Sequence, residues 1–160
     1  VVINDQKAAF NAVEHLIKQG KKNIAHLRGP LLPQNSIDRF LGYRKALEQY
    51  GLEYRKEWVF TCDQISNEEG YAYTQEIIEK HPEIDAIFAV ADMPTVGAIK
   101  CLNEQKIVIP TLSTVNQPGI EMGEKAFELF YKEQQLIKKG ESVVYEKIEL
   151  DTKLIIRQSS

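Results

Sequence analysis

Long hydrophobic runs are missing from this chain: no apolar stretch approaches the roughly 20 residues that a membrane-spanning helix needs. A secretory leader is missing too, because the sequence opens directly on the strand-like Val1-Val2-Ile3, so the expectation is a cytoplasmic protein with no membrane partner. Cysteine is scarce. Cys62 and Cys101 form no Cys-x-x-Cys pair, which excludes a disulfide framework; both sit in apolar segments and are expected to be packed thiols. Charge of one sign is hardly in excess, with 20 Lys and Arg against 23 Asp and Glu and a net charge of -3. That balance leaves no electrostatic footprint for binding nucleic acid directly. Lys18, Lys21 and Lys22 cluster only at a helix end, where cations suit the dipole.

Catalytic patterns are absent as well. The chain has no Gly-x-x-x-x-Gly-Lys phosphate loop, no Gly-x-Gly-x-x-Gly, no His-Glu-x-x-His and no Gly-x-Ser-x-Gly. His15, His26 and His81 lie apart and none pairs with a nucleophile, so packing or surface roles are expected for them. Neither a catalytic residue nor a metal ligand set nor a cofactor fingerprint can be assembled. The expectation is a protein without enzymatic activity, cofactor or metal.

What is present is an ordinary globular composition, 43% hydrophobic and 27% charged over 160 residues, enough for one domain or one lobe of a larger one. Strand and helix patterns alternate. Residues 1–3 read as a strand; Asp5 is expected to cap a helix carrying Ala9, Ala12, Val13, Leu16 and Ile17 at helical spacing, with Gly20 as its stop. A strand at 23–27 precedes a helix starting near Asn35 or Ser36 and ending at Gly51. A third strand is expected at 58–62. Ser66-Asn67-Glu68-Glu69 has the capping-box pattern, so a helix should run from there to about Lys80. Residues 84–90, nearly all apolar, read as a strand covered on both faces. Asp92 is expected to cap the next helix, with Pro94 in its first turn. A short strand at 107–109 follows. A long helix from Gly119 to Lys138 should carry Gly123, Ala126, Phe127 and Phe130 inward, and strands at 143–150 and 153–156 close the chain. The alternation predicts an α/β fold, a Rossmann-like parallel sheet with helices on both faces and right-handed crossovers.

In such a sheet, ligands bind where strand carboxyl ends meet helix amino ends. The loops there collect Arg28, Gln34, Asn35, Asp38 and Arg39, then Asp63 and Gln64, then Ala91, Asp92 and Met93. Paired donors and acceptors of mixed sign suit sugar hydroxyls or nucleoside edges. The plainer reading makes Asp38, Asp63 and Asp92 helix or turn caps, and for Asp92 capping alone is favoured. Arg39, expected in the first turn of its helix, is balanced between binding a ligand and a structural ion pair. The candidate ligand-binding residues are Arg39, Asn35, Gln64, Asp63 and Asp92. Tyr71 and Tyr73 are expected to serve packing rather than stacking on a sugar.

An ordered set of short motifs runs through the chain: Val2-Ile3-Asn4-Asp5, His15-Leu16-Ile17-Lys18-Gln19-Gly20, Ile24-Ala25-His26-Leu27-Arg28-Gly29-Pro30, and Ser36-x-x-Arg39-x-x-Gly42-Tyr43-x-x-Ala46-Leu47. Asp85-Ala86-Ile87-Phe88-Ala89, Asp92, Gly97-Ala98, Ser113-Thr114-Val115-Asn116-Gln117-Pro118 and the final Leu154-Ile155-Ile156-Arg157-Gln158-Ser159-Ser160 complete it. Together they resemble the effector-binding domain of transcriptional regulators of the lactose-repressor and galactose-repressor type, whose fold is that of periplasmic binding proteins of type I. The resemblance covers nearly the whole chain.

It implies a two-lobed sensor that binds a small effector, a sugar or related metabolite, between its lobes. Closure would change the geometry of a homodimer and, through an amino-terminal helix-turn-helix absent here, its hold on operator DNA. It assigns effector contact to Arg39 and a pocket-lining place to Gln64. Asp92 would hold sugar hydroxyls, although the asparagine that precedes it in the family is Ala91 here. Residues 1–160 then form an effector-binding domain, mainly its carboxyl-terminal lobe. The helix 119–138 would belong to an otherwise absent amino-terminal lobe, and a segment containing a strand and an acidic loop is missing between 110 and 111. The alternative is an extracytoplasmic sugar-binding protein serving a transporter. An α/β enzyme is the third reading, and it lacks a reacting group.

Overall fold

One short strand buried on both faces organises the described residues, 1–107 and 111–158 of a computed structural model. In chain order the elements are β1 (Val2–Ile3), α1 (Asp5–Lys18), β2 (Ile24–Arg28), α2 (Gln34–Gln49), a short 3-10 turn (Lys56–Trp58), β3 (Val59–Thr61), α3 (Asn67–Lys80), β4 (Ala86–Ala89), α4 (Asp92–Glu104), β5 (Thr111–Asn116), α5 (Gly119–Lys138), β6 (Glu149–Leu150) and β7 (Lys153–Gln158). The central sheet has the order β3-β2-β4, all parallel, with His26 opposite Val59 and Phe88. Successive residues of β2 feed opposite cores. Ile24 packs with Val13, Tyr43 and Leu47 under α1 and α2; Ala25 and Leu27 pack with Trp58, Phe60, Ile77 and Ala98 under α3 and α4. The expected α/β architecture with helices on both faces is therefore what this sheet has.

Glycine lets each helix pair close. A Cβ on Gly42 of α2 would overlap the Gln6 carbonyl of α1, and one on Gly97 of α4 would overlap the Asn67 carbonyl of α3. At such contacts backbones touch, so dispersion is gained without a side chain between them. The helix boundaries follow their local signals. Ser66 accepts from the Glu69 amide at 3.2 Å and completes the expected capping box, while Gly20 and Gly51 take positive φ beyond α1 and α2.

Several expectations change. The cap of α1 is Asn4, whose side chain accepts from the Lys7 amide at 2.9 Å, and Asp5 is the first helical residue. The helix α2 begins at Gln34, so Arg39 stands in its second turn and escapes the dipole's strongest field. The strand β4 is shorter than 84–90, and each of its residues is partly exposed rather than covered, because among the described residues it lies at the sheet's edge. The β5–β7 pair is antiparallel and β1 pairs with β6 in parallel, so the sheets are not parallel throughout. Most of the strand expected at 143–150 has no regular structure; Val144 is 73% and Tyr145 88% exposed, with nothing to bury their side chains. Phe127 and Phe130 of α5 do not face inward: they are 68% and 58% exposed, because none of the described elements covers that face. The strand expected at 107–109 and the break expected at Pro110–Thr111 involve residues outside those described.

The histidine in β2 is packed as a neutral ring. His26 is wholly buried, stacks on Phe88 with ring centres 4.8 Å apart, and its Nδ1 lies 2.9 Å from the Phe88 carbonyl oxygen. That contact makes Nδ1 the protonated nitrogen of the neutral ring. Burial, seconded by the Arg28 charge, pushes its pKa down to about 4, against the Phe88 carbonyl, which favours the charged form.

Two measurements follow. Gly97→Ala should lower stability by roughly 2–3 kcal/mol through overpacking against α3, read from denaturant midpoints. Because His26 protonates more readily in the unfolded chain, its contribution is complete above about pH 6.5 and is lost as the pH falls towards 4. His26→Asn, which keeps an N–H for the Phe88 carbonyl, should flatten the midpoint's fall across that window.

Candidate functional site

The carboxyl edge of the β3-β2-β4 sheet brings three loops together, and an arginine joins two of them. Arg39 reaches from α2 across the sheet edge. Its Nε donates to Asp5 Oδ1 at 2.7 Å, its Nη2 lies 2.7 Å from the same oxygen, and its Nη1 donates to the Val90 carbonyl at 2.7 Å. Both side chains are largely buried, Arg39 19% and Asp5 14% exposed. The fork is thereby fixed among the start of α1, the body of α2 and the end of β4. Five N–H groups make up a guanidinium. Arg39 lines the head of a groove together with Asp92 and Thr95.

Asp92 shares that groove head. It does not cap α4 as expected: Ala91, in an extended conformation, holds the cap position and has no side chain with which to do so. The helix begins one residue early because the Ala91 carbonyl takes the Thr95 amide at 3.3 Å and the Thr95 hydroxyl at 2.8 Å. Asp92 is left exposed in the first turn, where the helix dipole favours its charge.

On the other side of β2, Asp63 and Gln64 are held by their backbones. Their amides donate to the Glu69 carboxylate at 2.8 and 3.0 Å, which leaves both side chains exposed at the rim. Burial works against the charge on Glu69, but the amides of Gln64, Ser66 and Asp63 and the Ser66 hydroxyl together hold its pKa below the usual carboxylate range. Gly29 joins this loop to the first one, since a Cβ there would meet Ser36 Oγ at 2.8 Å and Ile65 Cδ1 at 3.6 Å.

Asn35 plays a local part: its Oδ1 accepts from the Ser36 amide at 2.9 Å, and the residue is exposed on the first turn of α2. Asp38 takes a hydrogen bond from Gln34 Nε2 at 2.8 Å. Arg28 lies over the Phe40 ring, 4.3 Å from its centre, and so braces the aromatic cluster instead of the rim. The structure thus brings Arg39 and Asp92 to one groove head, sets Asp63 and Gln64 across β2 from them, and uses Asn35 locally.

Among the described residues no three His, Cys, Asp or Glu side chains form a metal-holding group. Both thiols are buried, and burial pushes Cys62 up to about 12, far from a thiolate. Tyr73 donates to the Thr61 carbonyl at 2.9 Å and Tyr71 to Glu104 at 2.6 Å; both serve packing, as expected. Sequence reasoning missed Asp5 as the partner of Arg39, because the two are 34 positions apart and only the fold makes them neighbours. It found the Ser66–Glu69 box but not the second duty of Glu69, for which the carboxylate five and six residues after the Gln64 and Asp63 amides was the available signal.

The family model described as periplasmic binding proteins and the sugar-binding domain of the LacI family matches residues 1–140. The ribose operon repressor of Halalkalibacterium halodurans is 28% identical over 179 aligned positions, which take in 100% of this chain and 52% of that protein. The NTD biosynthesis operon regulator of Bacillus subtilis is 30% identical, with 96% of this chain and 51% of that protein covered. Among solved structures, a transcriptional regulator in complex with cellobiose superposes with a TM-score of 0.86 at 26% identity, over 99% of this chain and 53% of that one. A LacI-family regulatory protein from Chloroflexus aggregans gives 0.84 at 27% identity, over 98% and 61%. The chain spans about half the length of the curated relatives it matches.

The ion pair invites a direct measurement. In a double-mutant cycle on Asp5→Ala and Arg39→Ala, stability should show a coupling of about 1–3 kcal/mol, and Asp5→Ala alone should be the costlier single change because it strands a largely buried cation.

Proposed function

The chain belongs to the family of periplasmic binding proteins and LacI-type sugar-binding domains, and on that premise we propose that it is the ligand-sensing part of a transcription regulator. The observation that carries the reading is Arg39, held in place by Asp5 and the Val90 carbonyl at a groove head that it lines together with Asp92. An arginine clamped in this way has already lost its rotamer freedom, so a ligand's hydroxyl meets a pre-organised donor. Asp92 supplies acceptors beside it, and Asp63 and Gln64 extend the rim.

The charges favour an uncharged, polyhydroxylated effector over a phosphorylated one. Asp5 already answers the Arg39 cation, Arg28 is turned to Phe40, and the exposed carboxylates of Asp63 and Asp92 give the rim a negative balance. The effector would lie between this lobe and a second one. Helix α5, whose Phe127 and Tyr131 are exposed, would belong to that second lobe, and a homodimer would transmit closure to operator DNA through an amino-terminal domain. Relatives named as operon repressors and regulators support a regulator over the extracytoplasmic transport protein that shares the fold.

Neutral sugars at about 100 times their Kd should raise apparent stability by about 2.7 kcal/mol in thermal-shift screening, whereas sugar phosphates should leave it unchanged. With the sugar so found, calorimetry on Arg39→Ala should show binding weaker by roughly 1.5–3 kcal/mol. Unchanged affinity would remove Arg39 from the site.

A further inference from the structure

The loop from β3 to α3 keeps one residue in a conformation that its side chain disfavours. Among the described residues two that are not glycine have positive φ, Lys106 at 57° and Ile65 at 50°. Lys106 is explained by its place. It lies just beyond the end of α4, where its amide donates to the Asn103 carbonyl at 3.0 Å and a left-handed residue stops the helix. Ile65 stops nothing. It lies between the end of a strand and the start of a helix, and a β-branched side chain resists that φ.

The Glu69 carboxylate supplies the reason. A capping box needs one amide from the loop, that of Ser66, which donates to Glu69 Oε2 at 3.2 Å. Glu69 gathers two more that have no part in starting the helix: the Asp63 amide donates to Oε1 at 2.8 Å and the Gln64 amide to Oε2 at 3.0 Å. Neighbouring amides point to one anion where the backbone changes hand, and Ile65 is the residue at which it does. The half-buried Ile65 side chain also ties the turn to the loop after β2, since its Cδ1 would lie 3.6 Å from a Cβ on Gly29. We propose that Glu69 is the positioning residue of the candidate site's rim: its charge holds the strained turn at Ile65, and that turn presents the side chains of Asp63 and Gln64 to a ligand.

The hold depends on charge more than on shape. Hydrogen bonds to an ionised acceptor are roughly twice as strong as neutral ones, so a glutamine at 69 keeps the shape and loses most of the hold. Without any acceptor there, the Asp63, Gln64 and Ser66 amides lose their common partner, and nothing offsets the strain at Ile65. The turn then relaxes, and Asp63 and Gln64 leave the rim with it. The positioning role rests on the effector reading above, whereas the turn does not, so the two can fail separately.

Chemical rescue with formate tests the turn. In Glu69→Ala, amide exchange at Asp63, Gln64 and Ser66 should quicken about tenfold or more, while the Thr95 amide at the start of α4 keeps its rate. The HN–Hα coupling of Ile65 should move from that of a left-handed residue to that of an extended one. Formate fits the place of the deleted carboxylate and should reverse both changes; formamide, of the same shape without the charge, should reverse neither. Should that variant fail to fold, Glu69→Gln carries the test, quickening the same three amides without a response to formate. Amides and a coupling that stay as in the parent would overturn the proposal, as would equal rescue by formamide. The rim is then read with a panel of neutral mono- and disaccharides. A sugar that raises the parent's melting temperature should bind Glu69→Ala about tenfold more weakly, with formate restoring its affinity. Unchanged affinity beside a loosened turn would overturn the positioning role. A panel in which no sugar stabilises the parent would overturn the effector reading and that role together, and the formate result would still decide the turn.

Discussion

A parallel strand buried on both faces must have a helix layer above and below it, and β2 imposes that requirement on everything around it. Four of its five residues are buried, and the one polar side chain among those four, His26, is neutral and stacked on Phe88. The two layers are drawn in by helix pairs in backbone contact at Gly42 and at Gly97. Once both layers are in place, the sheet's carboxyl edge is the one rim where loops from β2, β3 and β4 converge with helix starts, and polar side chains can be offered there on a rigid support.

The Arg39–Asp5 pair shows how such a rim becomes a site. Its two charges come from different helices and neutralise one another at low exposure, so the pair contributes orientation more than attraction. The cost of holding an arginine still is met within the fold, before a ligand arrives. A rim whose cation is already answered, and whose exposed charged groups are the Asp63 and Asp92 carboxylates, would suit hydroxyl-rich neutral molecules. Burial also sets the state of two groups away from the rim: it pushes the Cys62 thiol up to about 12 and the His26 imidazole down to about 4.

The groove whose head holds Arg39 and Asp92 runs along β4 between the two helix layers, with Ala12 and Leu16 of α1 on one side and Ile99 and Leu102 of α4 on the other.

Much of this was legible in the residues alone. Helical spacing, the Ser66–Glu69 box and the stops at Gly20 and Gly51 are local signals, and each depends on contacts within a few positions. The α/β class follows from alternation, and Arg39 could be singled out as a fork of donors near a strand's end. Cap positions were misjudged by one residue at Asn4 and Ala91, because a cap is chosen by backbone conformation as well as by side-chain type. Burial of Phe127 and Phe130 was misjudged because periodicity states that a helix has an apolar face but not what covers it. What only the tertiary structure decided is long-range: that Asp5 meets Arg39 across 34 positions, and that among the described residues β4 is the edge of its sheet. Sequence spacing determines which side chains share a face, whereas neighbours on different elements are set by how the layers pack.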